Sequence, residues 1–154
     1  MRSDQRLTTA LLLVGPATLL VGALAFQYIG GLAPCEMCVW QRWALVTTLG
    51  LALLGWSAGH ARALLWLAAI AVMAGAGIAA FHVGVEQHWW QGITTCAAPA
   101  TVGSTADVMS QIMAAPLVRC DAIAWSLLGV SMAGWNALIS SAIGGLALWR
   151  LTQR

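Results

Sequence analysis

Two of the four cysteines stand three residues apart, in Pro34-Cys35-Glu36-Met37-Cys38, and Arg42 follows four residues after the second. Two thiols at this spacing can form and break a mutual disulfide, or supply half of a tetrahedral metal site. The thiolate is the reactive form, and a helix N-terminus or a nearby cation stabilises it. An apolar run begins near Cys38, so the first-turn N–H groups of a helix there favour an anionic sulfur. Arg42, at i+4, shares that face. An arginine inside a membrane span is costly and marks a functional site, and its fork of donors suits a ligand carbonyl oxygen. The plainer alternatives are a static disulfide, a metal site, or an arginine that snorkels to the interface. Val39 after Cys38 excludes the Cys-x-x-Cys-His haem attachment. Cys96 and Cys120 form no second close pair, which argues against a four-cysteine zinc site. Motif and placement together favour redox chemistry and no metal.

Cys96 and Cys120 share one long segment, and four cysteines permit three pairings. A disulfide between the loop pair is open to attack by an outside thiol; a staple that only restrains the loop accounts for the spacing as well. His82, Glu86 and His88 close the third apolar run and are placed to orient a ligand or relay protons. The two histidines read more readily as structural, hydrogen-bonded residues at the water boundary. Asn136 reads as an interhelical hydrogen bonder.

The elements that must position these residues are membrane spans. Of 154 residues, 60% are hydrophobic and only 8% charged, against about 25% charged in soluble domains. The formal charge of +2 is all arginine, with no basic block to engage nucleic acid. Nine tryptophans and one tyrosine suit an interfacial belt. Four apolar runs, about 7–29, 38–57, 63–85 and 123–149, each reach the roughly 20 residues a spanning helix needs. Pro16 is a candidate kink in the first. Short links, Gly30 to Pro34 and Ala58 to Arg62, force antiparallel neighbours. The expected fold is an all-α, single-domain membrane bundle of four helices over residues 1–154. Its long redox loop spans about 86–122, where Ser104 to Met113 predicts a short amphipathic helix capped by Ser104.

Arginine placement predicts the orientation. Arg2, Arg6, Arg62, Arg150 and Arg154 all fall on one side of a four-span chain, which puts both termini in the cytoplasm. All four cysteines then lie on the opposite side, where disulfides persist. The start also has signal-peptide features, with Ala23-Leu24-Ala25 in the A-x-A form, but the length of the first run favours a retained span.

With these residues in place the chain resembles the DsbB family of bacterial disulfide-forming membrane proteins. The resemblance rests on Pro34-Cys35-x-x-Cys38 with Arg42, on Gly84-Val85-Glu86-Gln87-His88, on Cys96 and Cys120 in the long loop, and on Trp125-Ser126-Leu127-Leu128-Gly129. It covers essentially the whole chain. It implies a protein of the inner membrane, surrounded by lipid, that reoxidises a periplasmic thioredoxin-fold oxidase of the DsbA type. Electrons would pass to a membrane quinone, ubiquinone or menaquinone. By position, Cys35 and Cys38 would be the quinone-linked pair, with Cys38 the thiolate beside the ring and Arg42 holding a quinone oxygen. Cys96 and Cys120 would be the loop pair, with Cys96 taking the partner's thiolate. Glu86 and His88 fall near quinone-proximal polar positions, and Gln41 stands where some relatives carry a carboxylate. Enzymes of the vitamin K epoxide reductase type also use four spans, four cysteines and a quinone. There the loop cysteines precede the Cys-x-x-Cys, the reverse of the order here. A non-enzymatic scaffold with structural disulfides is the rival from another class, and Arg42 beside the motif argues against it. A transporter is disfavoured by the scarcity of charged or broken helices at the midplane.

Overall fold

The computed structural model describes residues 2–93 and 119–153. Among the described residues, four helices make up nearly all of the regular structure: α1 (Arg2–Tyr28), α2 (Glu36–Ser57), α3 (Arg62–Glu86) and α4 (Met132–Thr152). Before α4 lies a two-stranded antiparallel ribbon, β1 (Ser126–Leu127) and β2 (Val130–Ser131), with Ser126 opposite Ser131. The first three helices are each long and apolar enough to cross a membrane. Their outward faces carry Val14, Val21, Leu53, Leu67 and Ile70, all at least half exposed, a surface suited to lipid rather than water.

Local sequence sets the helix ends. Cys35 is the N-cap of α2, in extended backbone, and its sulfur accepts the Cys38 N–H at 3.3 Å. Gly59 and His60 both adopt left-handed backbone (φ +69° and +67°), which stops α2 and turns the chain into α3. The His60 ring then bonds the Thr9 hydroxyl of α1 at 2.9 Å. Ser131 caps α4 by accepting the Gly134 N–H at 3.1 Å. α1 runs unbroken through Pro16.

The fourth apolar run, expected to be helical from about residue 123, becomes helix only at Met132. Leu128 and Gly129 take φ values of +53° and +78°, the pair of left-handed residues that a tight type I′ hairpin requires and a helix forbids. The segment expected to form the short amphipathic helix, residues 104–113, lies outside the described residues, as does Cys96.

α4 lies antiparallel along the whole of α3. Arg62 at the start of α3 donates to the Leu151 carbonyl at 2.6 Å. Farther along, a Cβ at Gly144 would sit 2.6 Å from the Met73 sulfur, and Gly134 faces Val83. Between α2 and α3, a Cβ on Gly75 would come within 2.8 Å of the Ala44 methyl. Small residues at these crossings let the helices meet closely, and in a bilayer such packing is a principal source of association. The core at the end holding the termini is built from Leu12, Ala52, Leu65, Ala68, Ala69, Val72, Ala147 and Leu151. A second cluster at the other end holds Cys35, Met37, Val85 and Cys120.

Candidate active site

At the cysteine end the four helices enclose a cavity of about 610 Å³. α1 contributes Leu19, Ala23 and Phe26; α2 contributes Cys35, Cys38, Gln41, Arg42 and Leu45; α3 contributes His82 and Glu86; α4 contributes Met132, Trp135 and Asn136. Trp125 and Arg119, from the segment before α4, close it. The volume is that of a pocket for a small organic molecule, and the lining has the usual pattern of apolar walls with a few convergent polar groups.

Two sulfurs form the centre of this wall. The Cys35 thiol donates to the Cys38 sulfur, with Sγ–Sγ 2.8 Å. That hydrogen bond, with burial added, holds the Cys35 thiol well above the ordinary thiol range. Cys38 is thus the sulfur placed to carry negative charge, at the first turn of α2, where the helix dipole favours an anion. One turn on, the Arg42 guanidinium donates to the Gln27 side chain and, at 3.1 Å, to the Ala23 carbonyl. These bonds tie Arg42 to α1 and hold it at the cavity wall; guanidinium has five N–H donors in all.

Cys120 is buried beside the same pair, and its side chain makes a hydrogen-bond contact to Cys35. The chain thus brings one loop cysteine to the Cys-x-x-Cys. Cys35, Cys38 and His82 also place three ligand-type atoms within 4.8 Å of one another, a set able to hold a soft metal ion. Behind the sulfurs runs a polar chain. His82 Nε2 lies 3.7 Å from Cys35 Sγ and 3.2 Å from the Cys120 carbonyl. His82 Nδ1 meets the Gln41 amide nitrogen at 3.0 Å, Asn136 donates to the Gln41 oxygen at 2.7 Å, and Ser140 donates to Asn136 at 2.9 Å. Glu86 accepts from the Ser131 hydroxyl.

The family model described as disulfide bond formation protein DsbB matches residues 5–150. The chain belongs to the DsbB family. A disulfide bond formation protein B from Verminephrobacter eiseniae is 35% identical over 161 residues, which cover 96% of this chain and 86% of that protein. Another from Xanthomonas campestris pv. campestris is 36% identical over 143 residues, 88% of this chain and 81% of its own. No solved structure matches the chain. A DsbB-family membrane protein is a disulfide-forming oxidoreductase, and the cavity with its cysteines is the candidate place for that chemistry.

Of the residues singled out by sequence, the DsbB fold gathers Cys35, Cys38, Arg42, Glu86 and Cys120 at the cavity or against it. His88 is not among them. It follows the end of α3 with φ +60°, is exposed, and turns its Nδ1 onto the Glu86 carbonyl at 3.1 Å. It lies beyond the end of α3, and two residues past Glu86 it would face away from the cavity even in a continued helix. The histidine at the cavity is His82, one turn before Glu86. Its spacing to Glu86 was visible in the sequence; its partner Gln41, itself held by Asn136, comes from another helix and was not.

Proposed function

We propose that this protein reoxidises a periplasmic thiol oxidase of the DsbA type and delivers the electrons to a membrane quinone. The observation that carries the reading is the meeting of Cys38, Arg42 and an apolar cavity of about 610 Å³ on one wall, with Cys120 against Cys35. The residues fit the group. Leu19, Phe26, Leu45 and Met132 offer apolar surface to a ring, and Arg42 offers donors to a ring oxygen. When bound, the quinone supplies a two-electron, two-proton acceptor. A DsbA-type oxidase has a potential near about −120 mV, beyond the reach of glutathione, so an acceptor fed by respiration suits the task.

The chain's own residues then perform a relay of thiol–disulfide exchanges. The partner's thiolate attacks Cys96 of the loop disulfide, and Cys120 leaves as a thiolate. Cys120 attacks Cys35, which breaks the Cys35–Cys38 bond and releases Cys38 as a thiolate. A second partner thiol displaces Cys96 and carries away the partner's disulfide. Cys96 then recaptures Cys120, and Cys35 is released as a thiolate; its bond with Cys38 would reform as the pair gives up two electrons to the bound quinone. Both termini and Arg62 in the second link would face the cytoplasm, with the cysteines in the periplasm of a bacterial inner membrane.

The test is quinone reduction by the purified protein in detergent, with a reduced DsbA-type dithiol protein as donor and ubiquinone or menaquinone as acceptor. Loss of quinone absorbance is expected with the unaltered protein and not with Cys38→Ser. Unchanged absorbance with both quinones, with an active donor, would sink the reading.

A further inference from the structure

The polar chain behind the cysteines fixes which ring nitrogen of His82 carries hydrogen. His82 is 3% exposed and sits on α3 facing α2. Its Nε2 has three neighbours: the Cys120 carbonyl at 3.2 Å, the Cys35 sulfur at 3.7 Å and a Glu86 carboxylate oxygen at 4.0 Å. A backbone carbonyl can only accept, so a bare Nε2 lone pair would oppose it. Nε2 therefore bears the hydrogen. In a neutral ring Nδ1 is then an acceptor, and its partner at 3.0 Å is the Gln41 amide NH₂. That choice turns the Gln41 oxygen to Asn136, whose NH₂ donates to it, and leaves the Asn136 oxygen for the Ser140 hydroxyl. Every member of the chain is satisfied in one direction, ending on an N–H shared between the Cys120 carbonyl and the Cys35 sulfur.

The Cys35 sulfur thus lies between two N–H groups, the Cys38 backbone at 3.3 Å and His82 Nε2 at 3.7 Å. We propose that His82 is a catalytic hydrogen-bond donor to Cys35, and that Gln41 is the positioning residue that keeps its donor tautomer. The proposal rests on the relay above and assigns His82 to one step of it. When Cys96 attacks Cys120, a Cys96–Cys120 bond forms and the Cys35–Cys120 bond breaks. The electron pair of the broken bond goes to Cys35 as a thiolate, Cys96 is oxidised, and no proton moves. The two N–H groups receive that charge, as backbone donors receive an oxyanion in acyl transfer. His82 is a donor throughout and takes no proton from Cys35, because its only lone pair faces Gln41. Among the described residues, the other ionisable groups at this sulfur are Cys38 and Arg42 on α2, Glu86 on α3, and Cys120 and Arg119 before α4. The cavity walls from α1 and α4 carry none.

Two measurements on the full-length, reduced protein in detergent, with no quinone or partner present, test this. Nitrogen-15 NMR of histidine-labelled protein reads the tautomer, with the His82 signals identified by their loss in His82→Gln. A single Nε2–H tautomer is expected between about pH 6 and 8, and Gln41→Leu should convert it to a mixture. An Nδ1–H ring or a doubly protonated one in the unaltered protein would overturn the proposal. The second reads Cys35 alkylation against pH by peptide-resolved mass spectrometry, in a Cys38→Ala background that removes the shared proton. Adding His82→Leu should raise the midpoint by about one pH unit, and His82→Gln, which restores an N–H donor, should return it. Equal midpoints with and without the His82 donor would overturn the proposal. A protein that passes both tests but reduces no quinone would refute the relay and leave the donor standing. One that reduces quinone but fails both would keep the relay and lose the donor.

Discussion

The two ends of the bundle bury polar groups in opposite ways. At the end holding the termini, Thr8, Thr9 and Thr48 each turn their hydroxyl back to the carbonyl four residues earlier in their own helix. Their bonds stay mostly local; Thr9 to His60 and Arg62 to the Leu151 carbonyl cross between elements at the loop and helix ends, and the buried packing between helices falls to Leu12, Leu65, Ala68 and Ala147. At the cysteine end, the buried bonds cross between helices: Gln41 to His82, Asn136 to Gln41, Ser131 to Glu86 and Arg42 to Gln27. A local bond satisfies a hydroxyl without saying where the next helix must be. A crossing bond fixes the mutual position of two helices, which a site assembled from all four of them needs. One end supplies cohesion, and the other supplies aim.

Substitutions at the two ends should therefore separate stability from site geometry. The largest effect is expected for Leu65→Ala, whose side chain is fully buried at the termini end. Chemical denaturation in detergent should read a loss of about 2–4 kcal/mol, with the quinone KM of the folded protein unchanged. A shifted KM would mean that the two ends are mechanically one. Arg42→Ala should do the reverse. Losing a charged hydrogen bond to a quinone oxygen should raise the quinone KM about tenfold to a hundredfold and leave the KM for the thiol partner as it was. Equal kinetics would remove Arg42 from the site. Ser140→Ala, at the far end of the polar chain, should cost about 1 kcal/mol and lower turnover through looser positioning, measurable as a drop in kcat at constant quinone KM. The smallest effect belongs to the exposed Arg119–Asp121 pair. Its hydrogen bond from Arg119 holds the Asp121 carboxyl down at about 2. A depressed carboxyl adds stability above its unfolded value of about 3.9, and that stability is lost as pH falls through the folded value. Asp121→Asn should thus lower the thermal midpoint only slightly at neutral pH, because the pair is exposed, and the difference from the unaltered protein should vanish as pH falls through about 2; a difference that grows in acid would remove the pair from the account.

The same contrast explains what could be read from the chain. α1, α2 and α3 were legible because each is a long apolar run ended by turn residues. Cys35, Cys38 and Arg42 were legible because their spacing is local, within one cap and one turn. The start of α4 was not. Trp125 to Ser131 is apolar enough to extend a span, and only the left-handed pair Leu128 and Gly129 gives the hairpin away. His82, read from the sequence as a hydrogen-bonded structural residue, is bonded to Gln41 on α2, but its place on the cavity wall was not legible. His82 stands one turn from Glu86 on the same face of α3, whereas His88 lies beyond the helix end, and the partner on α2 is one that no one-dimensional pattern displays.

Ser131 does two things at once: it caps α4 and donates to Glu86, 45 residues earlier at the end of α3. The segment carrying Cys120 is therefore clasped at its base, where it leaves one helix and enters the next. Under the proposed function, a tug on that segment as the partner docks would be taken up by the clasp and by the antiparallel α3–α4 pair beneath it, so the load need not reach the sulfurs of α2. The clasp works as a strain relief between a part that must be handled from outside and a part that must hold still.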